Sequence, residues 1–340
     1  MSFKVKNILV ATNRLSKIGG SETFTYTLIE ELIRRQEYHI EYFTLEKGFL
    51  SEKIENELGI GFFSKRKYDL ILANHNTCVQ ELYKYGFIIQ TCHGIFPELE
   101  QPHPKANGYV SISQEVQNHL ADIGYPSKLI YNMINLSRFY PKNEINDSPK
   151  KILSLCHSEK ANGIIKDVCK DLGLVYLEAY KYGNPIWNVE DLINDADLVF
   201  GLGRSAYEAL ACGRPVIVFD SRGYFPSYGD GYLRGVLGLS LLNNCSGRYS
   251  KKEFLKDDLI KEVLKYSSED QNFFYDFAQK ELDVIKNIDK YFDYYLKLKK
   301  INKNRRIDVI LKRKVLKYIL KLKFLVKKKL KSILTLSNNE

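Results

Sequence analysis

Short apolar runs alternate along the chain with segments whose apolar residues recur every three or four positions, the pattern of a parallel sheet wound with helices. Residues 7–12, NILVAT, predict the first strand. A glycine pair follows, and residues 21–35 place Phe24, Leu28, Ile29 and Leu32 on one helical face with Ser21 positioned to cap it. Further strands are predicted at 39–45, 68–74, 87–92, 109–113 and 128–132, with a helix at 114–124 that ends on Gly124. Between Asn132 and Lys151 the pattern lapses into a polar stretch holding Pro141 and Pro149, which reads as an interdomain linker. A second series then begins, with strands at 151–156, 174–179, 197–202 and 215–220 and a helical region from 252 to about 300.

Composition fits this picture. A chain of 340 residues suggests two domains at about 100–200 residues each. With 44% hydrophobic and 27% charged residues it is neither extensively disordered nor collagen-like. The six cysteines are scattered without a CxxC pair, so they read as reduced core thiols rather than a disulfide scaffold or zinc ribbon.

Charge changes the picture at one end only. The net charge is +10, but residues 297–340 hold 16 Lys and Arg against Asp308 and Glu340, which leaves the rest of the chain at −4. Within that tail Leu311, Val315, Ile319, Leu322, Val326, Leu330 and Ile333 form an apolar stripe flanked by basic residues. A helix of this kind suits an anionic membrane surface, contacted through 307–336. Packing on the chain's own body, a partner protein and a nucleic-acid arm are the alternatives. Aromatic residues are sparse there, so no nucleic-acid partner is expected. No secretory signal and no apolar run of about 18 residues is visible, so a cytoplasmic protein, peripheral on the inner face of the membrane, is expected.

Two segments carry candidate chemistry. Gly19-Gly20-Ser21-Glu22 lies between the first strand and first helix, where unpaired amides and glycines without side chains suit a diphosphate or its sugar, or form an ordinary tight turn. The second, GLGRSAYEALACGRPVIVFD at 201–220, runs strand end, glycine loop, helix, turn and strand. Gly201, Gly203 and Ala206 match the GxGxxA form of the dinucleotide fingerprint, with Asp220 ending the next strand. Its position after two earlier strands of its own half speaks against that reading. Either way, phosphate or sugar oxygens are expected at the amides around Gly203 to Ser205, with Arg204 a possible anion partner.

The sequence resembles the GT-B glycosyltransferases, most closely the family 4 type. The resemblance is carried in order by GGSE at 19–22, TCHG at 91–94, YVSISQEVQNHL leading to YNMINLSRFYP over 109–141, and YEALACGRPVIV at 207–218. It implies an α/β protein of two Rossmann-like domains facing a cleft, here 1–140 on the acceptor side and 151–296 for the nucleotide sugar, plus the basic amphipathic tail at 297–340. It further implies that Glu208 receives the ribose hydroxyls, that Gly19 and Gly20 lie against the diphosphate or donor sugar, and that His93 points at the donor sugar near the reacting centre. Gly201, Gly203 and Ser205 complete the expected amide cradle.

The chain also departs from the family. Phe200 stands where a second glutamate is expected, and the arginine and lysine that neutralise the leaving diphosphate have no clean counterpart in SLCHSEKANG at 154–163. His157 and Lys160 are the nearest candidates, with Arg204 a substitute; His93, Lys160 and Arg204 are the expected catalytic groups. Asp195 and Asp197 form the only DxD, placed where a helix runs into a strand, so no metal is expected. The segment 222–233 reads as a cleft-lining aromatic loop or a plain surface loop. The expected function is transfer of a sugar from a nucleotide-diphosphate donor, with no other cofactor, to a glycan or lipid-linked acceptor. The alternatives are a nucleotide-cofactor oxidoreductase, a sugar epimerase, or an inactive nucleotide-sugar-binding protein.

Overall fold

The computed structural model describes residues 5–180, 182–183, 186–221 and 229–301. The chain forms two compact units, Met1–Phe292 and Asp293–Glu340. The described residues of the second unit, 293–301, are helical. The tail stripe from Leu311 to Ile333 and residues 222–228 of the aromatic loop lie outside the described residues.

The first unit holds two sheets. In chain order its first half runs β1 (Asn7–Arg14), α1 (Gly20–Arg34), β2 (His39–Glu46), α2 (Phe49–Asn56), β3 (Tyr68–Ala73), α3 (Asn76–Leu82), β4 (Gly86–Cys92), β5 (Gly108–Ser111), α4 (Gln114–Asp122) and β6 (Ser127–Leu129). The six strands pair in parallel in the order β2-β1-β3-β4-β5-β6. Helices on both faces bury such strands on both sides, which is why Ile8, Leu9, Val10 and Ala11 form an unbroken apolar run with no exposed residue. Leu9, Ala11, Ile71 and Ile88 pack against Cys78, Val79 and Leu82 of α3.

The second half runs β7 (Lys151–Ser154), α5 (Glu159–Asp171), β8 (Val175–Glu178), α6 (Val189–Asp195), β9 (Leu198–Gly201), α7 (Arg204–Ala211), β10 (Val216–Val218), β11 (Gly231–Tyr232), α8 (Leu237–Leu242), α9 (Lys256–Val263) and α10 (Asp270–Glu281). The sheet order is β11-β10-β9-β7-β8, with β11 antiparallel to β10 and the rest parallel. Alternation along β9 assigns its two faces: Val199 joins the core with Ala209 of α7 and Phe274 of α10, whereas Phe200 joins Ile165 of α5 and Leu259 of α9. This is an α/β architecture of two Rossmann-like halves, as expected.

After α10 the chain turns back to the first half. Ile134 forms a parallel bridge with Asp283. The helical stretch beyond it reaches β4 and α1: Tyr291 Oη lies 3.0 Å from Thr91 Oγ1, Arg35 donates to Asp289 at 2.6 Å, and Phe292 stacks on Tyr38.

Two details differ from the sequence expectation, whereas the cysteines follow it. Helices α2 and α3 and strand β11 were not predicted, because segments of eight, seven and two residues are too short for periodicity to register. Ser21 does not cap α1; the N-cap is Gly19 in extended backbone, and Ser21 Oγ donates to Glu22 instead. All six cysteines are free and buried.

Candidate functional site

In a parallel sheet wound with helices, the C-terminal strand ends and the helix starts that follow them face the same way. Here β1, β3 and β4 of the first half and β7 and β9 of the second bring their following residues to one cleft of about 970 Å³. Gly19, Gly20, His93, Lys160, Gly203, Arg204, Ser205 and Glu208 all line it, together with His157.

Three helix N-termini open on this cleft, and each leaves first-turn amides without an intrahelical partner. For α1, the first backbone bond is Thr23 N–H to Gly19 O at 2.9 Å, so the amides of Gly20, Ser21 and Glu22 precede the ladder. A Cβ at Gly20 would meet no atom within 4 Å, so the room there belongs to the cleft. For α5, Ser158 is the N-cap and Lys160 stands exposed in the first turn, with no ion pair or hydrogen bond among the described residues. For α7, the N-cap Gly203 adopts φ +56°, a conformation that favours glycine, and its own N–H donates to Cys245 O at 2.9 Å. The expected phosphate role for the Gly203 amide is therefore corrected: the amides of Arg204 and Ser205 are the ones left over.

Arg204 and Glu208 form a buried pair on one face of α7, with side chains 9% and 11% exposed. Arg204 Nε donates to Glu208 Oε1 at 2.8 Å, Nη1 to Met133 O at 3.0 Å and Nη2 to Thr27 Oγ1 of α1 at 3.0 Å. Burial pushes the Glu208 carboxyl upward, against the attraction of Arg204 and then Arg138. Burial likewise lowers Arg204, and Glu208 opposes it. Beside them Arg138 pairs with Glu190 at 2.9 Å and stacks over Trp187, while Asn135 donates to Glu30 at 3.1 Å. Glu30 is itself raised by burial.

On the opposite wall, Asn74 Nδ2 donates to Thr25 Oγ1 at 2.7 Å, which turns its Oδ1 toward His93 Nε2 at 3.2 Å. His93 therefore carries its proton on Nε2 and keeps a lone pair on Nδ1. Burial, then His75 and Arg204, lower its pKa to about 3, so it is neutral at pH 7. His75 accepts the Asn13 N–H at Nδ1, 3.0 Å away, and burial followed by Arg14 lowers it to about 4. Glu100 lines the same wall, close enough to Gly94 that a Cβ there would lie 2.3 Å from its Oε2. Burial and then the charge of Glu22 raise Glu100 to about 7.

Other sequence candidates lie elsewhere. Gly201 does not line the cleft; a Cβ on it would come 3.2 Å from Ser205 Cβ, so it lets α7 approach β9 closely. Phe200 is fully buried against α5 and α9, so the side chain at this position faces the core and not the cleft. Asp195 pairs with Lys151 at 2.6 Å, and Asp197 accepts from Asn146, Lys150 and Lys151 at the entry to β7. Asp220 is 1% exposed and accepts the backbone N–H groups of His157 and Ser221 at 3.2 and 2.8 Å. Its two oxygens thus serve the fold, unlike the ribose-binding acid a dinucleotide site requires.

Sequence reasoning missed His75, Glu100, Arg138 and Trp187. For His75 the signal was present: it follows β3 as His93 follows β4, and strand ends on one side of a parallel sheet reach one site.

No protein-family model matches the sequence, and no curated protein matches it either. Solved structures do match in fold. A protein assigned as a UDP-N-acetylglucosamine 2-epimerase from Listeria monocytogenes shares 13% identity at TM-score 0.52, covering 85% of this chain and 97% of its own. An alpha-glucosyltransferase in complex with UDP and a DNA 13-mer shares 12% at TM-score 0.52, covering 86% and 100%. AviGT4, a glycosyltransferase involved in avilamycin A biosynthesis, shares 12% at TM-score 0.51, covering 86% and 98%. The fold is the GT-B arrangement that the sequence motifs suggested.

Proposed function

We propose that the protein is a glycosyltransferase that takes a sugar from a nucleotide-diphosphate donor. One observation carries the reading: the amide-bearing starts of α1, α5 and α7 open on the same cleft as the Glu208 carboxylate. Amides without partners suit a diphosphate, and a carboxylate accepts from a ribose diol. Two of the matched folds belong to proteins described as glycosyltransferases, one of them holding UDP, which supports the same ligand class.

In this reading the donor diphosphate lies against the amides of Gly20 and Ser21 on one wall and Arg204 and Ser205 on the other. Lys160 supplies positive charge to the leaving diphosphate from the start of α5, and the three helix dipoles add to it. That charge makes departure without a metal workable, and retention of configuration follows the family resemblance. His93, neutral and held by Asn74, orients the donor sugar through its remaining ring nitrogen. The acceptor is a glycan or lipid-linked molecule, and the basic stripe at 307–336 holds the enzyme on an anionic membrane from the cytoplasmic side. Among the described residues no helix is long and apolar enough to cross a membrane.

The test is turnover. The protein is incubated with UDP-, GDP- and ADP-sugars and with membrane-extracted glycolipid and oligosaccharide acceptors, and the released nucleoside diphosphate and the modified acceptor are measured. Donor isomerised without acceptor would favour an epimerase, the activity assigned to one matched fold. Binding without turnover would favour an inactive nucleotide-sugar-binding protein.

A further inference from the structure

Arg204 is the first residue of α7, and its guanidinium touches both halves of the cleft. It reaches Glu208 in its own helix, the carbonyl of Met133 in the connecting segment, and Thr27 in α1 of the other half, at 2.8, 3.0 and 3.0 Å. Three of the five N–H groups of a guanidinium are thus engaged. A lysine-like role as a mobile counter-charge would require these bonds to break and would leave the Glu208 carboxylate buried without the cation bonded to it.

Glu208 is held at one oxygen only. Its Oε1 accepts from Arg204, whereas its Oε2 accepts no hydrogen bond among the described residues, although the side chain is 11% exposed and lines the cleft. Oε2 is not sealed from solvent, and on the cleft wall a ligand hydroxyl can donate to it in place of water. Thr27 is 5% exposed, so its hydroxyl is shielded from water and its bond to Arg204 is not exchanged for solvent at no cost.

We propose that Arg204 is a positioning residue: anchored to Thr27 of the first half, it fixes Glu208 so that Oε2 meets the ribose diol of the donor. The inference rests on the nucleotide-sugar reading and replaces the expected diphosphate role of Arg204 by an indirect one. Recognition of the ribose then depends on α1 standing against α7, so the donor is held fully only when both halves of the cleft are in place.

The test separates a positioning role from a structural one by the ligand's own 2′-hydroxyl. Wild type, Thr27→Val, Thr27→Ser and Glu208→Gln are titrated calorimetrically with UDP, GDP and ADP and with dUDP, dGDP and dADP. Wild type prefers one ribonucleotide over its deoxy counterpart. Thr27→Val, which keeps shape and removes the hydroxyl, weakens the ribonucleotide by about five- to tenfold, the scale of one hydrogen bond. It changes deoxynucleotide affinity less than about twofold, Thr27→Ser restores the wild-type preference, and Glu208→Gln abolishes it. Equal weakening of both nucleotides in Thr27→Val, or no weakening of either, overturns the positioning role while leaving the donor reading intact. A wild type that binds none of the six overturns the donor reading itself.

Discussion

Asn74 Oδ1 stands 3.2 Å from His93 Nε2, and the same amide donates through Nδ2 to Thr25 at 2.7 Å. The two bonds together select the His93 tautomer from outside the cleft. Replacing the amide by a carboxylate adds a negative charge beside the imidazole, which favours its cation. In Asn74→Asp the His93 pKa therefore rises from about 3 by more than about one unit, read from the ring Cε1–H shift by NMR titration. An unchanged titration would show that residue 74 does not face Nε2.

Glu208 and Arg204 are each other's ionic partner in a nearly water-free setting. Removing one member of such a pair leaves the other buried and uncompensated. Glu208→Ala is expected to lose about 3 kcal/mol of stability in urea unfolding. Its affinity for the nucleoside diphosphate falls about 10- to 100-fold, the range for hydrogen bonds to a charged group. Retained affinity in the folded variant would remove Glu208 from the donor site.

Lys160 is the exposed cation at the start of α5 without a described partner. Lys160→Ala is expected to weaken binding of the nucleoside diphosphate by about tenfold and leave the nucleoside unaffected. The deficit shrinks as salt is raised, because exposed charges are screened. Equal losses for nucleoside and nucleoside diphosphate would assign Lys160 no diphosphate contact.

Glu100 makes stability depend on pH in an unusual direction for a carboxyl. Burial and then Glu22 raise it from the ordinary 4.5 to about 7 in the folded state. Between those values the folded protein binds the extra proton, so the stabilising difference is complete below about pH 4.5 and lost as pH rises through about 7. Glu100→Gln removes the penalty: it should raise stability by about 2–3 kcal/mol at pH 8 and leave it nearly unchanged at pH 4. Thermal melts at the two pH values decide it, and a variant less stable at pH 8 contradicts the raised carboxyl.

The long periodic segments were legible in the sequence because burial on both faces leaves continuous apolar runs such as Ile8–Ala11. So were Gly19, Gly20, His93 and Lys160, since they fall at strand ends and helix starts, which topology gathers into one cleft; Glu208, in the middle of α7, lines the same cleft and was singled out by the family resemblance. What a residue donates to was not legible. The Gly203 N–H donates to Cys245 O and Asp220 accepts the amide of His157, 63 positions back, pairings that only tertiary packing brings together. The same holds for Arg204 and Thr27, 177 positions apart. Phe200 read as a missing carboxylate, yet the strand alternation turns that side chain into the core, where an ionised glutamate would be strongly unfavourable.

The nucleotide-sugar reading requires the cleft to hold a nucleoside diphosphate. Thermal stabilisation of the full chain by UDP, GDP, ADP, CMP and NAD(P), beside Glu208→Ala, tests it most directly, because a ligand selective for the native state raises stability by RT ln(1 + [L]/Kd). One nucleoside diphosphate should stabilise the wild type, and its shift should be markedly smaller in the variant. Stabilisation by NAD(P) alone, or by none of the panel, would contradict that reading.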